Sequence, residues 1–335
     1  AIASGLSTVF GIAGFAPVFH AEKAVPAVIK AVTRIAADLP NGSTFRIRAR
    51  RADKSFSLTS PELERTLGAA VLAERPDLRV DLSDYDAAIT VEIRDRAYVY
   101  GPERRGLRGL PVGTSGRALL LLSGGIDSPV AGFMMAGRGL IFDAVHFHSY
   151  PFTSEESVEK VAALAKRLAA FVGTLRLFIV PVTETQLRIR ERGRQREHTL
   201  LLRGCMMRIA SRIANRTGAN GLVTGDSLAQ VASQTLSNIR FTDEHARLPV
   251  YRPLIGLDKD EIVARARTIG TFDTSILPYP DCCTVFASPS PITNSSLPRM
   301  LYEMERLDIE EVLERAVEKT EERRVEGPPE SWPWE

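Results

Sequence analysis

Residues Leu119-Leu120-Leu121-Leu122-Ser123-Gly124-Gly125-Ile126-Asp127-Ser128 put an apolar, strand-like run directly before a turn of small and hydroxylated residues. Adjacent glycines admit positive φ and let backbone N–H groups approach an anion. Ser123 and Ser128 add hydroxyl donors, and a helix starting behind them would offer its positive dipole end. That chemistry is phosphate binding. No Gly-Lys-Ser/Thr follows, so the turn is not of the Walker A type, and the GxGxxG spacing of a dinucleotide fold is missing. An ordinary tight βα turn is the bland alternative. Asp127 would repel phosphate unless a cation intervenes, which makes it a candidate Mg²⁺ ligand; it is also placed to cap the helix behind it.

Three further stretches carry polar groups at the ends of predicted strands. His146-Phe147-His148-Ser149-Tyr150 follows the second strand, although His146 alone reads as a satisfied histidine and Phe147 alone as core. Thr224-Gly225-Asp226 follows the fourth; there Gly225 permits close approach to a nucleotide. A helix from Asp226 would put Gln230 and Gln234 on one face as amide donors. Arg252 to Glu261 then leads into another helix.

The chain has three cysteines. Cys282 and Cys283 are adjacent; their Cα atoms stand about 3.8 Å apart, shorter than disulfide geometry favours, so at least one thiol is expected to be free. Cys205, in Cys205-Met206-Met207, follows the pattern of a buried helical thiol. No CxxC pair or matching His spacing supplies a zinc set, and three cysteines in a chain this long do not make a secreted framework, which points to a reducing cytoplasm.

The elements that must position these groups fall into two styles. Residues 1–103 mix helix and strand patterns: a helix over Ala24 to Leu39, a strand over Thr44 to Arg50, a helix over Pro61 to Glu74 capped by Ser60, and strands over Ala87 to Ile93 and Ala97 to Tyr100. A Gly- and Pro-rich stretch with four arginines, Gly101 to Arg117, reads as an interdomain linker, placed at 104–117. From Arg117 onward apolar runs alternate with helix-length segments. That predicts an α/β fold, a parallel sheet with helices on both faces and its ligand site at the carboxyl ends of the strands, over 118–318. An acidic tail is expected over 319–335.

The chain has 335 residues, 44% of them hydrophobic, and a net charge of +2. Length argues for two domains, and no apolar run is long enough to span a membrane. The small net charge conceals a polarity. Nine arginines face two glutamates between Thr185 and Arg216, whereas Arg299 to Glu335 holds six basic and twelve acidic residues. A second basic run, Arg46, Arg48, Arg50, Arg51 and Lys54, alternates like one face of a strand. A solvated strand face and contact with nucleic-acid phosphates are equally natural readings of it.

The motif SGGxDS resembles the PP-loop of ATP pyrophosphatases, which cleave ATP between the α and β phosphates and pass AMP to a substrate oxygen. SGGIDS, HFHSYPFTSE, GDSLAQVASQTL and RPLIGLDKDEI, in this order, resemble the tRNA 4-thiouridine synthetase family, the tRNA sulfurtransferases of the ThiI type. The likeness covers nearly the whole chain, since residues 1–103 look like the family's THUMP domain. It implies a Rossmann-like PP-loop domain behind an RNA-binding THUMP domain, with most of the N-terminal ferredoxin-like segment and the rhodanese domain of some members absent.

The resemblance implies adenylation of uridine 8 of tRNA, followed by persulfide transfer to give 4-thiouridine. Its ATP contacts fall on Leu121, Leu122, His146, Phe147, Arg203, Gly225 and Gln234, beside the turn residues Ser123, Gly124, Gly125, Asp127 and Ser128. Cys282 and Cys283 are the catalytic cysteine candidates with Asp127, and the choice between the two stays open. Arg192, Arg194 and Arg196 join the Arg46 to Lys54 run as tRNA-binding candidates. Implied partners are tRNA, a cysteine desulfurase as persulfide donor and a sulfur carrier protein for the thiamine thiazole ring; a homodimer is compatible. Another PP-loop tRNA thiolase, or a non-catalytic ATP- and tRNA-binding protein, are the rival readings.

Overall fold

The computed structural model describes residues 2–326, in two compact units. One unit comprises residues 13–106; the other joins residues 2–12 to those from Leu107 onward.

In the first unit, β1 (Gly14–Phe15) pairs with β7 (Arg104–Arg105), and five strands form a sheet in the order β2-β6-β5-β3-β4. These are β2 (Val18–Ala21), β3 (Thr44–Arg51), β4 (Arg79–Val80), β5 (Ala87–Ile93) and β6 (Ala97–Tyr100). Alternation decides which face of β3 is buried: Phe45, Ile47 and Ala49 point into the core, where Val28 and Val32 of one helix and Leu63 and Leu67 of another cover them. Arg46, Arg48 and Arg50 are left on the opposite face. The helix Ser60–Glu74 starts one residue earlier than expected, because Thr59 and Glu62 form a reciprocal capping box that makes Thr59 the N-cap.

The second unit is built on a six-stranded sheet, β12-β11-β8-β9-β10-β13, whose last strand is Glu321–Val325. Strands β8 (Arg117–Leu121), β9 (Ile141–His148), β10 (Leu175–Pro181), β11 (Leu222–Val223) and β12 (Val250–Tyr251) run parallel. Each face carries its own apolar cluster, so neighbours in sequence divide between them. Leu119, Val145 and Val180 pack with the helix His198–Thr217; Leu120, Ala144 and Ile179 pack with the helices Asp127–Ala136 and Glu155–Val172. Burial on both faces is why these strands read as continuous apolar runs. From β8 the chain builds outward through β9 and β10, then returns to place β11 on the other side of β8. The strand order reverses between β8 and β11, the place where an open α/β sheet leaves a crevice at its carboxyl edge.

Two expected boundaries change. Residues 2–12 belong with the second unit: Phe10 is buried, its ring centroid 5.2 Å from that of Phe133 and 6.2 Å from that of Phe171. Residues within the expected acidic tail form β13 (Glu321–Val325), an antiparallel edge strand on β10; 327–335 lie outside the described residues. Among the described residues no helix is long and apolar enough to cross a membrane.

Candidate functional site

At the carboxyl ends of β8 and β11 lies a cavity of about 280 Å³. Leu121, Leu122, Val145, Phe147, Met206, Met207 and Val231 give it apolar walls. Ser123, Asp127, Ser128, His146, Arg203, Asp226 and Gln234 supply polar groups, Gly225 lies on its wall, and Asp281, Cys282 and Cys283 complete it. Of the twelve residues expected at a nucleotide, ten line this one space; Gly124 and Gly125 stand outside the lining.

Neither glycine takes the positive φ that the sequence reading allowed. The turn is tied by Ser128 instead, whose hydroxyl accepts the Ser123 N–H at 2.9 Å and lies 3.3 Å from the Ser123 carbonyl. The Gly124 N–H donates to Asp281 Oδ1 at 3.1 Å. Asp127 is the first helical residue and caps nothing: the N-cap is Ile126, without a side-chain bond. Both Asp127 oxygens have other partners, Lys259 Nζ at 2.6 Å from Oδ1 and Gln230 Nε2 at 2.8 Å from Oδ2.

Gly225 is needed by the protein itself. A Cβ there would lie 2.7 Å from the Ser128 nitrogen and 2.9 Å from the Asp127 carbonyl carbon, so only glycine lets the end of β11 pass the start of that helix. The helix expected from Asp226 does not form. Residues 226–231 are a loop with Ala229 at φ 61°, Ala232–Gln234 make one 3₁₀ turn, and the helix begins at Leu236. Gln230 and Gln234 therefore share no helix face: Gln230 reaches Asp127, and Gln234 Nε2 donates to Asp226 Oδ1 at 3.2 Å.

Asp226 organises this corner. Buried, it accepts from Arg203 Nη2 at 2.5 Å, Arg252 Nε at 3.2 Å and the Thr224 hydroxyl at 2.8 Å. Burial pushes its pKa up, but Arg203, Thr224 and Arg252 outweigh that and hold it below the ordinary carboxylate value. Arg203, which also donates to Ser233 Oγ at 3.1 Å, keeps its charge for the same reason.

His146 Nδ1 lies 3.1 Å from the Leu122 carbonyl. A carbonyl only accepts, so Nδ1 carries the hydrogen and Nε2 is an acceptor. Burial lowers the ring's pKa and keeps it neutral. His146 Nε2 and Gln234 Oε1 are buried acceptors with no protein partner, and both residues line the cavity. Two orphaned acceptors in one cavity call for a ligand with N–H or O–H donors.

All three cysteines are free. Cys205 is buried on the core face of the helix His198–Thr217, and burial pushes its thiol up to about 12. Cys282 and Cys283 open a short helical turn, Cys282–Val285, with Cys282 buried and Cys283 partly exposed. The hydrogen bond between the two thiols, helped by the Arg203 charge, lowers the Cys283 pKa, while that bond and burial raise the Cys282 pKa.

Residues 113–309 match the family described as thiamine biosynthesis protein (ThiI), and residues 22–100 match the THUMP domain. The chain belongs to the ThiI family. It is 47% identical to a probable tRNA sulfurtransferase of Acetivibrio thermocellus over 319 residues, 94% of this chain and 81% of that one. It is 46% identical to a protein of the same name from Treponema pallidum, over 96% of this chain and 81% of the relative. Among solved structures, a 4-thiouridine synthetase in complex with RNA and bound ATP superposes with a TM-score of 0.92 at 37% identity, covering 97% of this chain and 86% of that chain.

For a ThiI-family chain, three of the candidate RNA contacts are less free than their sequence suggested. Arg192 Nη1 lies 3.5 Å from Asp308, Arg194 Nε lies 3.6 Å from Glu303, and Arg196 Nε donates to the Ser290 carbonyl at 3.0 Å. In the THUMP unit, Arg46 donates to the Leu82 carbonyl at 2.9 Å and Arg51 to the Phe56 carbonyl at 3.0 Å, and Arg48 lies over Tyr85 and bonds its hydroxyl. Arg50 and Lys54 are exposed, and Asp53, the one acid in that run, is paired with Lys23 at 2.7 Å. The sequence reading missed Lys259, Asp226 and Asp281. Lys259 and Asp226 stand inside the sequence motifs, yet their oppositely charged partners lie 23 to 132 residues away, beyond any local pattern.

Proposed function

We propose that this chain is an ATP-dependent tRNA sulfurtransferase that adenylates a uridine and replaces its oxygen with sulfur to give 4-thiouridine, at position 8 of tRNA. The observation that carries the reading is the one cavity in which Asp127 and the residues around the glycine turn meet Cys282 and Cys283. A nucleotide site and a thiol pair in one space are what adenylation followed by thiolation requires. The relatives named tRNA sulfurtransferase, and the ATP and RNA bound by the similar synthetase, support the same substrates here.

In this reading the apolar walls take the adenine, and the orphaned acceptors His146 Nε2 and Gln234 Oε1 take donors from the base or ribose. Arg203, held by Asp226, faces phosphate. Each Asp127 oxygen accepts one hydrogen bond, from Lys259 or Gln230, and keeps a second lone pair that would face a magnesium ion, whereas Asp226 is clamped by two arginines. Among the described residues no group of three or more His, Cys, Asp or Glu side chains is gathered for a metal, which fits an ion ligated chiefly by phosphate and water. When bound, the ion would neutralise charge on the departing pyrophosphate.

The uridine O4 attacks the α-phosphorus, and the α–β bridging oxygen leaves with pyrophosphate. A cysteine persulfide, charged by a cysteine desulfurase, then attacks C4 through its terminal sulfur and AMP departs. Attack of a second thiol on the inner sulfur leaves sulfur on C4 and a disulfide, which an external thiol reduces. Cys283 suits the anionic role, since its lowered pKa favours the thiolate. The same persulfide could serve a thiamine-pathway carrier, as the family's description suggests.

The test is tRNA-dependent ATP–pyrophosphate exchange by the wild type and by Asp127→Ala. Loss of exchange in the variant supports the mechanism, and unchanged exchange contradicts it.

A further inference from the structure

Asp281 precedes the turn Cys282–Val285, where an aspartate ordinarily caps its own helix, but it makes no side-chain cap bond there. Its Oδ1 accepts instead from the Gly124 N–H at 3.1 Å, across 157 residues of chain. A carboxylate oxygen thus sits on a glycine N–H of the turn where an anionic ligand would be expected to bind. The fit is close: a Cβ on Gly124 would lie 3.2 Å from that oxygen and 3.3 Å from the Lys160 side chain. Lys160 is itself buried and donates to the Leu277 carbonyl at 2.8 Å, so a cation stands beside the same turn.

We infer that Asp281 is a positioning residue that couples occupancy of the glycine turn to the cysteines: a nucleotide phosphate takes over the Gly124 N–H, repels the Asp281 carboxylate, and the Cys282–Cys283 turn moves with it. This rests on the nucleotide reading above. Two anions cannot share one N–H donor in a partly buried site without a large electrostatic cost. Peptide linkage passes the displacement directly to Cys282, whose carbonyl accepts from Gln186 Nε2 at 2.8 Å and supplies the turn's anchor on the other side. The consequence is order: the thiols are presented once nucleotide is bound, which keeps a persulfide from reacting before an adenylate exists.

The coupling has a sign that a merely structural aspartate lacks. Because Asp281 competes with phosphate, removing its charge must tighten nucleotide binding. The probe is α,β-methylene ATP with Mg²⁺, whose α–β bridge is not cleaved. Its affinity is measured by calorimetry, and alkylation of each cysteine by peptide mass spectrometry, in the full chain. Wild-type Cys283 should alkylate about tenfold faster with nucleotide, roughly what one charge-assisted hydrogen bond is worth, while buried Cys205 stays unreactive as an internal control. Asp281→Ala should label fast with or without nucleotide and bind it about tenfold tighter. Asp281→Asn keeps an acceptor for Gly124 and nearly the same shape, so it carries the test if the alanine variant does not fold; it should label slowly without nucleotide and also bind tighter. Binding by the wild type with no change in Cys283 labelling, or weaker binding by Asp281→Asn, overturns the inference. Absence of binding to the wild type overturns the nucleotide reading and this inference with it.

Discussion

Lys259 Nζ lies 2.6 Å from Asp127 Oδ1, joining the start of one helix to the start of another across 132 residues. Gln230 holds the other Asp127 oxygen, so the carboxylate is aimed by two groups that stand on different segments. This pair is half exposed, and exposed pairs contribute little to stability. Replacing Lys259 by Met should therefore leave Tm within about 4 °C of the wild type. The rate of tRNA-dependent pyrophosphate release should fall by about 100-fold, the effect of removing one preorganised charged donor. Calorimetry and a pyrophosphate assay on the same sample check both halves.

Asp226 predicts the reverse balance. Asp226→Asn strands Arg203 and Arg252, and breaking a buried ion pair from one side costs about 3–5 kcal/mol, measurable by chemical denaturation. Its folded pKa lies below the ordinary value. The stability it contributes is thus complete above the unfolded pKa of about 3.9 and is lost as pH falls below that. As pH falls below about 4, wild-type stability should drop more steeply than that of Asp226→Asn.

The thiols should separate by reactivity. Cys283 alkylates first, with a pH midpoint below the ordinary thiol value, because the bond from Cys282 and the Arg203 charge favour its thiolate. Cys282 and Cys205, both raised, should lag throughout the native range. Cys282→Ala removes the donor that is the main cause of the Cys283 shift and should move that midpoint upward, as read by peptide mass spectrometry across pH.

Gly225→Ala forces a Cβ to within 2.7 Å of the Ser128 backbone nitrogen. Backbone cannot yield like a side-chain tip, so a loss of about 1–3 kcal/mol is expected in chemical denaturation, together with weaker nucleotide binding.

On the THUMP unit, Arg50→Ala should weaken tRNA binding similarly across tRNA sequences and lower the slope of log affinity against log salt by about 1. Arg46 and Arg51 already donate to backbone carbonyls, so their alanine variants should cost stability as well as affinity. Filter binding over a salt series distinguishes the two outcomes.

The sheet of the second unit was legible because its strands are buried on both faces, and the glycine turn because its residue types repeat a phosphate-binding logic. What escaped depended on partners far along the chain. The helix expected at Asp226 fails because Thr224, Arg203 and Arg252 satisfy its carboxylate outside a helix, and the Leu228 N–H goes to Ile255 at 3.0 Å. Strand β13, Glu321–Val325, reads as a solvated acidic tail because an edge strand tolerates charge along its length. Phe10 gives no local sign that its partners are Phe133 and Phe171. In the site, the residue types around Asp127 and the cysteines were readable, whereas the Asp281 contact that ties them together was not.

The most direct measurement is nucleoside mass spectrometry of tRNA incubated with this chain, ATP, Mg²⁺ and a persulfide donor, with AMP counted in the same reaction. The account predicts 4-thiouridine and AMP in equal amounts, both abolished in Asp127→Ala. AMP formed without any thiolated nucleoside, or 4-thiouridine formed without ATP, would contradict it.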